Sequence, residues 1–296
     1  MFSLYKYYFY KYGFDIKQFF IYRLYDMSEV KVDSYISMRR RSLLFRKSDE
    51  KELLHIMANK KDFFDEYKDY MSKDVCFSRG NEKNVFWDFC QKNKEIVIKP
   101  IDGEKGKNIE RLLIDSPEVI DYAWSKCQNG SFFIEKAMFN CPELASFHTK
   151  SLNTIRVATA IDGKGNAHIF AATLRTGTGN NCVDNGSHFG VFASIDVDSG
   201  EANSFGFNSK GQSFIRHPDS KLIFPGFVVP KWAELLSIAK IVALKNPGLR
   251  YIGWDYVLNE QYQWILLEGN EPGGVDILQL PLGKGLFFDI SNILDK

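Results

Sequence analysis

The sequence is short of the features that mark secreted, membrane-spanning or nucleic-acid-binding chains. Its five cysteines (Cys76, Cys90, Cys127, Cys141 and Cys182) are odd in number, widely spaced and contain no Cys-x-x-Cys pair. That spacing offers neither a zinc site nor a disulfide framework and fits a reducing cytosol, so a cytoplasmic location is expected. Charge of one sign is missing too. Lys and Arg number 38 against 37 Asp and Glu, so no global field draws the chain to nucleic acid or lipid. The stretch from Met1 to Phe20 is rich in Tyr and Phe but is interrupted by Lys6, Lys11, Asp15 and Lys17. It is too charged for a signal peptide or an inserted helix. An amphipathic helix packed on the body is expected there, with peripheral contact to a membrane surface as the alternative. The run Arg39-Arg40-Arg41 is short and reads as a solvated helix face.

Familiar catalytic signatures are also lacking. There is no Walker A loop, because Gly103 and Gly106 are three apart and no Gly-Lys-Ser/Thr opens a helix. No Ser–His–Asp set or reactive cysteine stands out. His148, His188 and His217 are scattered and read as satisfied or surface histidines. His188, in the glycine-flanked segment 185–190, is the one best placed to touch a substrate. Internal repeats and low-complexity segments are absent from the sequence.

What is present is an ordinary soluble composition, 45% hydrophobic and 25% charged, with an unusual 25 Phe and 14 Tyr. At 296 residues the chain is long enough for two or three lobes sharing a core. Residues 1–80 read as a mostly helical N-terminal region, clearest from Glu50 to Met71, where Leu53, Leu54, Met57, Phe63, Phe64 and Tyr67 make an apolar face. Residues 81–138 read as a small α+β lobe in the order strand (95–100), loop (102–108), strand (109–114), helix (117–127) and strand (131–135). Residues 139–296 read as a larger, mainly β lobe with strands at 154–161, 167–175, 191–197, 251–258 and 263–269, and one amphipathic helix at 230–244. The fold class is therefore α+β.

The strongest chemical signal lies near the C-terminus. Two apolar runs, each with a carboxylate, flank a polar turn at Gln261-Tyr262. A symmetric antiparallel hairpin closed there pairs Leu258 with Ile265 and Asp255 with Glu268. Strand period two then gathers Asp255, Glu268 and Asn270 on one face, with opposed Cβ atoms about 5 Å apart. Two carboxylates so close repel unless a cation or proton sits between them. Two anionic oxygens and an amide suit Mg²⁺, which also keeps phosphate oxygens in its shell.

Matching parts occur upstream. Lys99 ends an apolar strand, and the loop that follows (Gly103, Lys105, Gly106 and Lys107) offers glycine-freed N–H groups to phosphates. Backbone groups of Glu135, Lys136 and Ala137, after another apolar strand, could read an adenine edge. Glu143 is one short loop away and could accept ribose hydroxyls.

These residues resemble the ATP-grasp superfamily and, more narrowly, the sugar-transfer-associated ATP-grasp proteins of polysaccharide gene clusters. The narrower resemblance rests on the run Ser151 to Thr159, on Gly253-Trp254-Asp255 and on Leu267-Glu268-Gly269-Asn270, helped by 184–186 and 246–253. It implies an ATP-grasp fold of two α+β lobes clasping ATP. Lys99 would bind the α- or β-phosphate, and Lys61 would be the first nucleotide lysine, a role Lys60 could also claim. Residues 103–107 would form a phosphate lid, Glu135 and Ala137 the adenine hinge and Glu143 the ribose contact, while Asp255, Glu268 and Asn270 hold Mg²⁺. Many amide-forming members carry arginine two residues before the first metal acid, where Gly253 stands here, so Arg156 or Arg175 would neutralise an acyl phosphate instead. The usual Gln-His-Pro is Asn140-Cys141-Pro142 here.

The implied activity is carboxylate–amine ligation through an acyl phosphate, with ATP and Mg²⁺ as cofactors. The resemblance points to a uronic acid or other glycan carboxylate joined to an amino acid or amino alcohol in capsular or other surface polysaccharide biosynthesis. The alternatives are a small-molecule kinase on the same site and a nucleotide-binding module without turnover. Expected partners are these small-molecule or glycan-linked substrates, not nucleic acid or an inserted membrane segment. Homo-oligomerisation or association with other polysaccharide-biosynthesis enzymes is left open.

Overall fold

The computed structural model describes residues 1–78, 82–101, 109–128, 130–179 and 190–295, apart from the side chains of 46–48. Contacts divide the chain into two units: Met1–Leu54 together with Asn140–Lys296, and His55–Phe139.

The first unit begins with α1 (Phe2–Tyr12), α2 (Ile16–Ile21), α3 (Glu29–Asp33) and α4 (Met38–Ser48). The side chains of Asp15, Ser28 and Ser37 accept from backbone N–H groups and open α2, α3 and α4. Gly13 closes α1 at φ +80°, donating to the carbonyls of Phe9 and Tyr8. The inward faces bury Tyr8, Tyr12, Phe14, Phe19, Tyr22, Leu24, Val32 and Tyr35 against Phe192 and Leu280. The aromatic N-terminus thus belongs to the core of this unit and is divided from the second unit at residue 54, whereas composition alone suggested a region running to 80. Buried Gln279 ties the two ends of the unit together. Its Oε1 accepts from the N–H groups of Ile36 (2.8 Å) and Leu286 (3.1 Å), and its Nε2 donates to Ile36 O and Tyr22 Oη, each at 3.2 Å.

The second unit contains α5 (Leu54–Ala58, its first residue the last of the preceding unit), α6 (Lys60–Tyr67), β1 (Val75–Phe77), α7 (Lys83–Lys92), β2 (Glu95–Pro100), β3 (Glu110–Leu113), α8 (Pro117–Gln128) and β4 (Phe132–Lys136). The helix expected across 50–71 is broken at Asn59, whose extended backbone and side-chain acceptor start α6 afresh. The antiparallel sheet has the order β1-β4-β2-β3. Its core gathers Cys76, Phe86, Cys90, Ile96, Ile98, Ile120, Ala123, Cys127 and Ile134. Burial pushes the Cys90 thiol up to about 12 and Cys127 to about 11, so neither is a nucleophile at neutral pH.

The first unit resumes with α9 (Pro142–Ala145), β5 (Thr154–Ile161), β6 (Ala167–Thr176), β7 (Val191–Ile195), β8 (Gly206–Phe207), β9 (Ser213–Phe214), α10 (Trp232–Lys245), β10 (Tyr251–Leu258), β11 (Trp264–Asn270), α11 (Asp276–Leu282) and α12 (Phe287–Leu294). The last two helices were not among the elements expected from the sequence. The antiparallel order is β11-β10-β5-β6-β7-β8-β9. Every residue of β5 and β10 is buried, so both faces of the sheet centre are covered, in part by α10 and α12 against β5 and β6. Phe45 of α4 stacks on Tyr251 at 3.7 Å between ring centroids. The polar side chains that break into this covered sheet are therefore the ones to explain.

Candidate active site

The β10–β11 hairpin pairs Asp255 with Glu268 and Gly253 with Asn270, as strand alternation requires. A bulge then shifts the register, so Leu258 faces Trp264 and Ile265 faces Val257. The symmetric pairing expected from the sequence holds at the carboxylates and fails by one residue nearer the turn. Asn270 Nδ2 lies 3.3 Å from Glu268 Oε1 and 3.5 Å from Asp255 Oδ2. The three side chains are brought together.

On its other edge β10 pairs with β5, setting Arg156 directly opposite Asp255. The Arg156 guanidinium grips the carboxylate with both prongs, Nε to Oδ1 and Nη2 to Oδ2 at 2.8 Å. Arg175, at the end of β6, adds Nη1 to Oδ2 at 2.7 Å. Asp255 is only 3% exposed. Burial alone would push its carboxyl up, but the two guanidiniums outweigh that and hold it below the ordinary range. Glu268 is shifted the other way, by its protein surroundings and by the Asp255 charge. Its side chain is exposed, so the like charge of the neighbouring carboxylate accounts for the rise.

Gly253 is what admits Arg156. A Cβ there would stand 2.9 Å from Arg156 Nη1 and 3.1 Å from its Cδ. The glycine two residues before Asp255 and the arginine across the ladder are thus one steric unit, a relation carried by non-local register and invisible in the sequence.

Within the second unit, Lys99 Nζ pairs with Glu135 Oε1 at 2.5 Å, both side chains largely buried. Lys136 N donates to Asp74 O and Ala137 N to Glu95 O, so these two hinge N–H groups are already used within the unit. Lys61 is exposed and pairs with Asp65 at 2.6 Å, whereas Lys60 Nζ donates to the carbonyl of Ile101 at 3.3 Å, at the stem of the predicted lid. Gly103, Lys105, Gly106 and Lys107 lie outside the described residues, as do His188 and segment 184–186. Within the first unit, Glu143 lies in the first turn of α9, and both its oxygens accept from Tyr262 Oη, at 2.9 and 2.8 Å.

Two features escaped sequence reasoning. Asn140 Oδ1 accepts from Asn153 N at 2.7 Å while its Nδ2 donates to Asn153 O at 2.8 Å. Asn153 Nδ2 in turn donates to Leu144 O and His148 O. The Asn140-Cys141-Pro142 segment is thereby pinned to the start of β5, which carries Arg156. His148 and His217, far apart in sequence, lie 6.2 Å apart between ring centroids. They bond Gly179 O and Gly177 O, at 3.0 and 2.9 Å, and so fix the backbone just after Arg175.

The donor chemistry discriminates between metals. No group of three His, Cys, Asp or Glu side chains among the described residues could hold an ion, so the hairpin offers two carboxylates and an amide. That is too few and too hard a set for zinc or iron, and it fits Mg²⁺ with places left for water or phosphate oxygens. With both carboxyls ionised, Asp255 and Glu268 balance Arg156 and Arg175, so a dication would leave the cluster positive and receptive to phosphate.

The profile of the sugar-transfer associated ATP-grasp family matches residues 118–295, a span that includes Glu135, Arg156, Arg175 and the hairpin. No curated protein matches. Among solved structures, the ATP-grasp ligase PsnB complexed with a phosphomimetic variant of its minimal precursor, Mg and ADP is similar with a TM-score of 0.52, at 11% identity over 83% of this chain and 60% of that one. D-alanyl-alanine synthetase A from Vibrio cholerae gives 0.53, at 12% identity over 83% of this chain and 67% of that one. The ADP complex of N5-carboxyaminoimidazole ribonucleotide synthetase gives 0.50, at 12% identity over 81% and 52%. At such identities these likenesses establish the fold alone. The chain has the ATP-grasp fold and belongs to the sugar-transfer associated ATP-grasp family.

Proposed function

We propose that the protein is an ADP-forming carboxylate–amine ligase whose reacting groups gather around Asp255. The observation that carries this reading is the buried carboxylate clasped by Arg156 and Arg175 beside Glu268 and Asn270. Asp255, Glu268 and Asn270 would hold Mg²⁺, which when bound neutralises and orients phosphate oxygens. Lys99, Lys60 or Lys61 and the 103–107 loop would bind ATP phosphates, with residues 135–137 at the base and Glu143 at the ribose.

In the proposed reaction a substrate carboxylate oxygen attacks the γ-phosphorus, breaking its bond to the ADP leaving oxygen and giving an acyl phosphate. An amine then attacks the acyl carbon. The C–O bond to phosphate breaks, the amine loses a proton, and an amide and inorganic phosphate remain. Arg156 and Arg175 would stabilise the anionic acyl phosphate by charge and hydrogen bonding, positioned in advance by their grip on Asp255. No protein nucleophile is needed, which accords with the raised thiols of buried Cys90 and Cys127. The family's association with sugar transfer favours a uronic acid or other glycan carboxylate, joined to an amino acid or amino alcohol during surface polysaccharide synthesis in the cytoplasm.

An ADP-release screen of purified protein, crossing carboxylates with amines and identifying products by mass, tests this. Ligation predicts turnover that requires both partners and a product lighter by one water than their sum. Full-rate ADP formation with one acceptor, and phosphate retained on the product, identifies a kinase and overturns the reading.

A further inference from the structure

Helix α1 presents two different aromatic faces. Tyr8 and Tyr12 are buried in the core, whereas Phe2 and Tyr10 are 68% and 73% exposed and Phe9 is also exposed. At about 100° per residue, Phe2, Lys6, Phe9 and Tyr10 fall within roughly 100° of one another on the outer side of the helix. The rings continue onto α2. Tyr5 contacts Phe9 at 6.0 Å and Phe19 at 5.4 Å, and Phe19 contacts exposed Phe20 at 5.4 Å. Ile16, one turn before Phe20, is exposed as well.

The charges on this face have one sign. Lys6 Nζ sits 4.7 Å from the Phe2 ring centroid, and Arg39 lies 6.0 Å from the Phe9 centroid while donating to the carbonyls of Phe9 and Tyr10. Lys17 lies between Ile16 and Phe20 in sequence. Nearby acids are withdrawn: Asp15 caps α2, Glu29 takes Lys11 and Asp26 takes Arg23. Among the described residues Lys6 and Lys17 form no ion pair.

We infer that this face is a docking surface for an anionic lipid bilayer. Tyr and Phe rings favour the headgroup level, and interleaved Lys and Arg add attraction to anionic lipid. Charge complementarity selects this occupant, because a second copy would set Lys6, Lys17 and Arg39 against the same cations. Binding is peripheral, since no helix among the described residues is long and apolar enough to cross a membrane. It leaves the catalytic reading untouched and stands independently of it.

The test is co-sedimentation of the full chain with phosphatidylcholine vesicles, with and without phosphatidylglycerol. Binding should be at least about tenfold stronger on the anionic vesicles and should weaken with salt. Lys6→Gln and Lys17→Gln should each reduce it roughly fivefold, and Phe2→Ser with Phe9→Ser about tenfold or more. Lys6 and Lys17 are exposed, so their variants should keep the wild-type melting temperature, and all the variants should keep wild-type turnover in solution. Arg39 is left alone because it also holds the end of α1. Equal binding to the two vesicle types, including none to either, overturns the inference. So does a solution dimer that Phe9→Ser dissolves, which would assign the face to a second copy.

Discussion

Replacing Asp255 by Asn is the sharpest perturbation of the cluster. The side-chain volume hardly changes, but one negative charge that three guanidinium contacts share is removed. Arg156 and Arg175 are themselves largely buried, at 7% and 11% side-chain exposure, and the new amide would turn N–H donors toward them. Breaking a buried pair by removing one partner costs about 3–5 kcal/mol. At about 2–4 °C per kcal/mol for a domain of this size, melting should fall by roughly 6–20 °C. The pH sense follows from the direction of the shift. Asp255 is held below its unfolded value of about 3.9, so its contribution is complete above that value and is lost only as pH falls through the lower folded one. The melting gap between wild type and variant, read by calorimetry, should therefore be flat from about pH 7 to 8.5. A drop below about 2 °C would refute the claim that the arginines depend on this carboxylate.

Gly253→Ala should displace the Arg156 guanidinium by steric contact, lowering turnover about tenfold with a stability cost of about 1–3 kcal/mol; unchanged turnover would show that the seat is not needed. Lys99→Ala should weaken Mg·ATP binding roughly 10- to 100-fold and also destabilise the fold by stranding Glu135. Adding Glu135→Gln should restore melting but not affinity, and recovery of both would make Lys99 purely structural. Of the two neighbouring lysines, Lys60→Ala should weaken ATP binding more than Lys61→Ala in titration calorimetry. Lys61 is committed to an exposed helical pair with Asp65, and the opposite ranking would return the role to it.

The carboxylate hairpin could be read from sequence because antiparallel pairing and period two are local rules, and Asp255 does face Glu268. The bulge that moves Leu258 onto Trp264 leaves no mark in an apolar run, so the symmetric extrapolation failed there. Arg156 and Arg175 were found as candidates, but their convergence on Asp255 depends on β5 pairing with β10 across about a hundred residues, with β6 on the far side of β5. The aromatic N-terminus looked like a separate region because half of each helix faces outward. Its inward half meets Phe192 and Leu280, which no local pattern announces. Nothing local announced β1 either, since its partner β4 lies far along the chain.

The central claim is that a carboxylate is activated as its phosphoric anhydride. With substrate carboxylate labelled by oxygen-18 and any amine pair that supports ADP release, one labelled oxygen should appear in each inorganic phosphate formed, seen as a shifted phosphorus resonance. Unlabelled phosphate alongside an authentic amide, or label kept wholly in the product, would contradict it.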